Sequence, residues 1–243
     1  MKGAVSMFRT TIVKHKCPMR SRVVVALLLC FLILGFGSIP NARATTVNYY
    51  AVVVGISDYD DSTGVEDLSY ADDDANDWHS FLTDTIPFDA IRVLGDDTSY
   101  YQSYHALATE SNIAASLNWL VGVADSDDQI AVIFSGHGGQ IGDTTETFFV
   151  TWEESYLYDS EIASILATAV ARRIFLFLDF CHSGGFLDDL EDMDNSVNVF
   201  ATSACHYNGV SFEDHDLENG VWTYHYILEW NGLIRSYGCN VAQ

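Results

Sequence analysis

The sequence predicts a three-layer α/β/α sandwich built around a mostly parallel β-sheet. Five short apolar segments rich in branched and aromatic residues alternate with segments in which apolar residues recur at helical spacing. Strands that are buried on both faces of a parallel sheet have this nearly continuous apolar character. A helix between successive strands implies right-handed crossovers, which place helices on both faces of the sheet.

The strands are assigned to residues 49–56, 90–94, 129–135, 174–180 and 197–203. Residues 140–152 alternate in polarity and include glycine, which predicts a small hairpin or an extended arm. The helices are predicted to begin at Ser69, at Thr109 or Ser111, at Asp159 or Ser160, and at Asn219. Ser69 and Asp72 have the spacing of a capping box, and the three aspartates at 72–74 fall in the first helical turn, where the helix dipole favours negative charge.

The N-terminal 44 residues are predicted to be a secretory signal peptide. Residues 1–22 contain six Lys and Arg and no acid, residues 23–36 are an uncharged apolar run, and residues 42–44 read Ala-Arg-Ala. This is the order of a cleavable leader, and the apolar run is short for a membrane span. The alternatives are an uncleaved membrane anchor and a translation start at Met19. We therefore expect a domain at residues 45–243 that is secreted or otherwise extracytoplasmic, with no stable membrane insertion after cleavage near Ala44.

Removal of this leader would leave a strongly acidic chain. Seven of the eleven Lys and Arg lie within it, whereas all 34 Asp and Glu follow it. The four remaining arginines leave a formal net charge of about −30, which makes nucleic acid an improbable partner. Such a surface favours high salt, divalent cations or cationic substrates. Adaptation to a salty habitat explains the charge equally well.

Three of the five cysteines follow the leader: Cys181, Cys205 and Cys239. Three is an odd number for a chain outside the cytoplasm, so at most one disulfide forms within it. Pairing Cys205 with Cys239 would leave Cys181 free, although the sequence does not decide the pairing.

Two strands end in residues that carry chemistry. The strand at 129–135 is followed by His137 and Gly138, and the strand at 174–180 by Cys181. If these strands are neighbours in a parallel sheet, their carboxyl ends bring both side chains to one edge, where open α/β sheets bind ligands. A histidine activates a cysteine by accepting its proton, and the backbone amides of Gly138 and Cys181 offer an oxyanion site. No third orienting acid is evident, so we expect a Cys-His dyad suited to acyl transfer.

The same motifs carry a family resemblance. SGHG at 135–138, DFCHSGG at 179–185 and LSYADDDA at 68–75 resemble motifs of the caspase-like cysteine peptidases, particularly the metacaspases and prokaryotic caspase homologues. The resemblance covers residue 49 to about residue 230. It implies a caspase-like fold with His137 as general base and Cys181 as nucleophile.

Substrate choice is predicted from Asp74 and Asp179. Asp179 lies two residues before Cys181, and Asp74 lies at the start of the first helix, so both can approach a bound side chain. In metacaspases the matching acids line the pocket for arginine or lysine before the scissile bond. We therefore expect an endopeptidase that cleaves peptides or proteins after Arg or Lys. Its lack of basic residues between Arg173 and Arg235 makes self-cleavage in that segment unexpected.

No cofactor is expected, although some metacaspases need calcium. The aspartates that could bind it belong to one acidic loop: Asp188, Asp189, Asp192 and Asp194. A solvated loop is the simpler interpretation. A zinc site is a weaker alternative, because the Cys-His pairs at 181–182 and 205–206 lack the spacing of zinc knuckles.

Two departures from the family pattern keep a second function open. Phe180 stands where a small residue usually precedes the cysteine, and a final strand common in the family is expected to be absent. Either change would be compatible with a catalytically inactive, caspase-like binding module outside the cytoplasm. The sequence does not predict the oligomeric state.

Overall fold

The computed structural model describes residues 46–96 and 100–237, with side chains described except at Val197 and 231–237. The strands are β1 (Tyr49–Gly55), β2 (Ala90–Gly95), β3 (Ala106–Leu107), β4 (Gln129–Ser135), β5 (Gly138–Gln140), β6 (Thr147–Val150), β7 (Tyr156–Tyr158), β8 (Arg173–Asp179), β9 (Val199–Ser203), β10 (Glu213–Asp214) and β11 (Asn219–Gly220). The α-helices are α1 (Ala71–Asp84), α2 (Glu110–Val123), α3 (Asp159–Leu166), α4 (Phe186–Glu191) and α5 (Val221–Tyr237). The leader, Cys239 and the position of a final strand lie outside the described residues.

Six strands form a parallel central sheet in the order β3-β2-β1-β4-β8-β9. Alternate residues of β1 enter different cores: Val52 packs in the cluster with α2, α3 and α4, and Val53 packs in the cluster with α1. Residues of α5 pack against the second cluster. The predicted three-layer sandwich with a mostly parallel sheet is therefore confirmed. Within the described residues, no helix is long and apolar enough to span a bilayer.

The start of α1 differs from its prediction. The helix begins at Ala71 with Tyr70 as N-cap residue and has no side-chain cap, so the capping box of Ser69 and Asp72 is wrong. Instead, the Glu213 carboxylate accepts the backbone N–H groups of Ser69 and Tyr70 at 2.9 and 2.8 Å. The Asp72 N–H, which the Ser69 side chain was expected to accept, donates to the Ser57 hydroxyl at 3.0 Å. Tertiary contacts thus satisfy the two amide groups that the local capping box was expected to satisfy.

The other starts lie close to the predicted positions. Thr109 is the N-cap of α2 and accepts the backbone N–H of Asn112, whereas α5 begins at Val221, after the antiparallel pair β10–β11. The predicted hairpin is present as β5–β6, and β7 extends it to a three-stranded antiparallel sheet.

The junction of β1 and α1 depends on a glycine. A Cβ at Gly55 would lie 2.2 Å from the carbonyl oxygen of Ala71 and 2.7 Å from Cβ of Ala75. These distances are shorter than van der Waals contact, so the helix can pack this closely only because residue 55 has no side chain.

We predict that Gly55→Ala lowers the free energy of unfolding by roughly 1–3 kcal/mol, because the helix must move away from the strand. Denaturant unfolding followed by circular dichroism measures this. The matched control is Gly122→Ala in α2, where a Cβ meets nothing within 4 Å. It should leave stability unchanged or raise it by roughly 0.5–1 kcal/mol. Equal stability of the two variants would contradict the close packing of α1 on β1.

Candidate active site

The register of β4 and β8 sets the position of the candidate catalytic residues. Ser135 of β4 pairs with Asp179 of β8. His137 and Cys181 each follow two residues later, in the loops that leave these adjacent strands. The two loops stay in contact beyond the strands, because the Gly136 N–H donates to the Asp179 carbonyl at 3.3 Å. The structure therefore places both loops side by side at the carboxyl edge of the sheet.

His137 is held from two sides by the loop that follows β1. Its Nε2 lies 2.7 Å from the Glu66 carbonyl oxygen, and its backbone N–H donates to the Tyr59 hydroxyl at 2.9 Å. A carbonyl oxygen only accepts hydrogen bonds, so this contact assigns the ring proton to Nε2 and leaves a lone pair on Nδ1. The Tyr59 ring also packs on the imidazole, with 5.2 Å between ring centroids.

Sequence reasoning missed the group that orients this imidazole. It sought a third acid and found none, whereas the structure supplies the main-chain carbonyl of Glu66. Every residue has such a carbonyl, so no residue type could have marked this one.

The backbone N–H of Gly138 points away from its partner strand, and this position has no room for a side chain. The Val150 N–H donates to the His137 carbonyl at 2.9 Å, which makes Gly138 and Phe149 a non-hydrogen-bonded pair of the β5–β6 ladder. In such a pair the N–H points away from the partner strand. A Cβ at residue 138 would lie 2.4 Å from the Cys181 carbonyl oxygen, so glycine is required for the two loops to meet.

Phe180 packs inward. Its side chain is buried against Phe149 and Phe186, at 5.3 and 5.2 Å between ring centroids. The ring that departs from the family pattern therefore belongs to the core below the site.

Cys181 is a half-buried thiol that donates a hydrogen bond to the Ser211 carbonyl oxygen, with 3.8 Å between sulfur and oxygen. Burial raises the pKa of this thiol, and the neighbouring Cys205 and Asp179 raise it further, against the lowering effect of the Ser211 contact. The raised pKa favours the neutral thiol over the thiolate. Cys181 therefore needs a base before it can attack.

His182 and Cys205 pack beside the candidate nucleophile. His182 has a positive φ of 65°, and its Nδ1 lies 2.8 Å from the Tyr207 carbonyl oxygen, so it faces the segment after β9. The Cys205 thiol donates to the Phe180 carbonyl at 3.4 Å. Both Cys181 and Cys205 are free thiols, and the predicted pairing of Cys205 with Cys239 involves a residue outside the described range.

The two predicted specificity acids converge beneath this edge. Asp74 and Asp179 are 1% and 4% exposed, and a Cβ at Gly220 would lie 2.6 and 2.5 Å from their Oδ2 atoms. Their donors are hydroxyl and amide groups: Ser135 and Gly220 donate to Asp74, and Ser211 and Thr223 donate to Asp179.

Burial raises the pKa of both carboxyls, and the charge of Asp179 adds to the effect on Asp74. Among residues 46–96 and 100–237, no Lys or Arg side chain forms an ion pair with either acid. Within the described residues, the pair is therefore a buried carboxyl site that has no cation partner. Sequence reasoning found both acids but missed Ser211, Gly220 and Thr223, which come from a distant segment with no recognisable motif.

The acidic segment that was expected to be a loop is largely helical, because Asp188 and Asp189 lie in α4 and Asp192 is its C-cap. Burial raises the pKa of Asp189 to about 6, and the charge of Asp159 and a hydrogen bond to it raise the pKa as well. In the part of the chain that the structure describes, no group of three or more His, Cys, Asp or Glu is arranged to hold a metal ion. Neither the calcium set nor the alternative zinc set is therefore assembled here, and we derive no step through a metal.

Comparison with known proteins gives the family. The model of the metacaspase peptidase C14 domain matches residues 50–190, which is more than half of the chain. The chain therefore belongs to the metacaspase family of caspase-like peptidase domains.

Curated relatives and a solved structure agree with this assignment. Metacaspase-1 of Eremothecium gossypii is 33% identical over 94 residues, which cover 34% of this chain and 21% of the relative. Metacaspase-3 of Trypanosoma cruzi is 31% identical over 116 residues, covering 42% and 32%. The crystal structure of protein GSU0716 from Geobacter sulfurreducens has a TM-score of 0.58 at 18% identity, covering 76% of this chain and 82% of that one. This last likeness concerns the fold alone.

The neutral state of Cys181 leads to a measurable pH dependence. We expect its alkylation by iodoacetamide to rise with a midpoint above about 8.5, the pKa of an unperturbed thiol, because burial disfavours the thiolate. Site-resolved mass spectrometry of the Cys181 peptide across pH 6 to 11 measures this midpoint. In Cys205→Ala the midpoint should fall, because one neighbouring thiol that raises the pKa is removed. A wild-type midpoint below about 8.5 would show a preformed thiolate instead.

Proposed function

We propose that this protein is a cysteine endopeptidase in which Cys181 attacks the scissile carbonyl and His137 transfers the proton. The observation that carries the proposal is the pairing of β4 with β8, because it sets the two loops side by side with a lone pair on the His137 ring. Membership in the metacaspase family supports the same reaction class.

The proposed reaction begins with proton transfer from the Cys181 thiol to Nδ1 of His137. The resulting thiolate adds to the carbonyl carbon, and the oxygen takes up negative charge. The N–H groups of Gly138 and Cys181 are the proposed donors to this oxyanion, and each donor of this kind contributes roughly 10²–10³ in kcat. The imidazolium then protonates the leaving amine, and a thioester remains on Cys181.

Hydrolysis of the thioester completes the cycle. His137 accepts a proton from water, and the hydroxide equivalent adds to the thioester carbonyl. The thiolate then leaves and takes the proton back from His137, which restores the neutral thiol, and the carboxylic acid product is released. The Glu66 carbonyl favours the imidazolium at each stage, because its oxygen accepts a hydrogen bond from the Nε2–H group throughout. The neutral resting thiol fits this sequence, since the proton moves to His137 only when it is needed.

The proposed specificity for Arg or Lys rests on the buried pair of Asp74 and Asp179. Two carboxylates that share a site raise each other's pKa, and a guanidinium or ammonium of the substrate would relieve this repulsion. Gly220 and Thr223 now hold the carboxylates, so binding requires the segment from β11 to the start of α5 to exchange these hydrogen bonds for substrate contacts.

The proposed setting is outside the cytoplasm. A signal peptide at residues 1–44 would leave a domain with only four permanent cations, to which basic protein substrates are attracted electrostatically.

Reporter peptides test the reaction and its specificity together. We expect turnover of peptides with Arg or Lys before the scissile bond and little turnover with Asp. Cys181→Ala should abolish turnover, and His137→Ala should reduce kcat by roughly 10²–10⁴. Cys205→Ala removes the other thiol of the site and should retain activity, because the Cys205 thiol donates to the Phe180 carbonyl and has no step in the proposed reaction. Each assay is run with and without calcium.

The alternative function, an inactive binding module, predicts different results in the same assays. If folded wild-type protein cleaves none of the reporters, with or without calcium, and Cys181 resists alkylation at high pH, the chain is an inactive caspase-like binding module. A preference for Asp over Arg would instead keep the peptidase and overturn the assignment of Asp74 and Asp179.

Asp74→Asn is expected to bind an Arg substrate more weakly and to be more stable than the wild type. Removing the buried charge should raise KM for an Arg reporter at least about tenfold. Because burial raises the pKa of Asp74, the wild type loses stability as pH rises through that raised pKa, and the neutral variant does not. Thermal melting should therefore show a more stable variant at pH 8, with the difference vanishing below the ordinary aspartate pKa of 3.8.

The control for this variant is Asp143→Asn, which removes the same charge from an exposed loop position. It should change neither KM nor the pH dependence of melting. An unchanged KM in Asp74→Asn would contradict the proposed pocket.

A further inference from the structure

A large cavity lies away from the candidate active site, at the amino edge of the sheet. Its volume is about 670 Å³, and it is lined by α1, α5 and the first residues of β4, β8 and β9. Arg173 of β8 is level with Gln129 of β4 at this edge, whereas Cys181 follows the opposite end of β8. Since a strand rises about 3.3 Å per residue, the two sites are separated by roughly 20 Å.

Aromatic rings form the walls of this cavity. Phe175 stacks on Phe200 at 5.9 Å and on Tyr226 at 6.1 Å between ring centroids, and Trp78 lies 5.9 Å from Phe175. Phe200 and Trp230 line the cavity and remain 61% and 42% exposed. The walls therefore offer apolar surface that residues 46–96 and 100–237 leave partly in contact with solvent.

Two of the few positively charged side chains after residue 44 line this cavity. Only four arginines and no lysines follow residue 44, and two of these arginines, Arg172 and Arg173, line the cavity. Arg92 lies over the Trp119 ring at 4.0 Å, and the Arg235 side chain is outside the described set. Within the described residues, neither Arg172 nor Arg173 forms an ion pair with a carboxylate, although acids outnumber bases 34 to 11 in the whole sequence.

We propose that this cavity binds an apolar carboxylate: a hydrocarbon chain or aromatic ring that carries one acidic group. The volume lies in the range of small-molecule sites, and such sites combine apolar walls with a few polar groups that fix orientation. A guanidinium matches a carboxylate with two parallel hydrogen bonds. An apolar cation would be repelled by both arginines, and a neutral molecule would leave them unused.

The position of the arginines strengthens the choice of an anion. The net charge of this chain repels anions over most of its surface, so an anion binds only where positive charge is concentrated. Arg172 and Arg173 are adjacent, exposed and next to the aromatic walls, and they provide that concentration together with apolar contact.

Isothermal titration calorimetry with sodium dodecanoate, below its micelle concentration, tests the proposal on the full chain. We expect saturable binding at one site, with at least about tenfold weaker binding of dodecyltrimethylammonium, which has the same chain and the opposite charge. The double variant Arg172→Gln/Arg173→Gln should weaken dodecanoate binding at least about tenfold, because charged hydrogen bonds are lost.

The matched control is Arg92→Gln, which removes a positive charge from outside the cavity and should leave the affinity unchanged. Cys181→Ala should also bind dodecanoate normally, so a failure of the proposed peptidase function leaves this result unaffected. Circular dichroism melting verifies that each variant is folded. Equal binding of the two surfactants, an equal loss in Arg92→Gln, or no saturable dodecanoate binding would each overturn the proposal.

Discussion

The parallel pairing of β4 with β8 is the constraint on which the candidate site depends. Seven residue pairs from Gln129–Arg173 to Ser135–Asp179 fix the register of two strands that are distant in sequence. A slip by one residue would turn each buried side chain to the other face, and the two separate cores prevent it. The register therefore determines that the loops with His137 and Cys181 leave the sheet at the same level.

The segment after β9 couples stability to the chemistry of the site. It supplies the Ser211 carbonyl to the Cys181 thiol, Glu213 to the start of α1, and the Gly220 and Thr223 amides to the buried acids. Apart from the short β10–β11 pair, these contacts are irregular turn and side-chain hydrogen bonds. Opening this segment should cost less than opening the sheet beneath it, as the proposed exchange of its hydrogen bonds for substrate contacts requires.

The two edges of the sheet differ in the sign of the charged side chains that lack an ion-pair partner. Within the described residues, Asp74 and Asp179 at the carboxyl edge form no ion pair with a cation, and Arg172 and Arg173 at the amino edge form none with a carboxylate. The nearby Asp128 carboxylate accepts hydrogen bonds from Asn48 instead. The acids and the arginines lie at opposite edges of the sheet, with the apolar core between them. They do not form ion pairs with one another, because isolated charges are strongly disfavoured inside that core. Within the described residues, each edge therefore keeps charged side chains that have no ion-pair partner, and the two proposals assign each of them a ligand of the opposite sign.

The sequence by itself determined the fold class, the central strands and the residues that the strands carry to the carboxyl edge. Apolar runs that end in glycine, histidine and cysteine are local signals, and the parallel crossover rule converts them into neighbours. Asp74 and Asp179 were found in the same way, because each lies at a fixed distance from a recognisable element.

Only the tertiary structure decided which groups complete the site. The Glu66 carbonyl, the Glu213 contact before α1 and the Gly220 and Thr223 donors act across 44 to 146 residues of sequence, or through main-chain atoms. Main-chain groups are the same in every residue, and long-range pairing leaves no periodic pattern in the chain. The cavity at the amino edge was missed for the same reason, since its walls come from six helices and strands that meet only when the sheet is assembled.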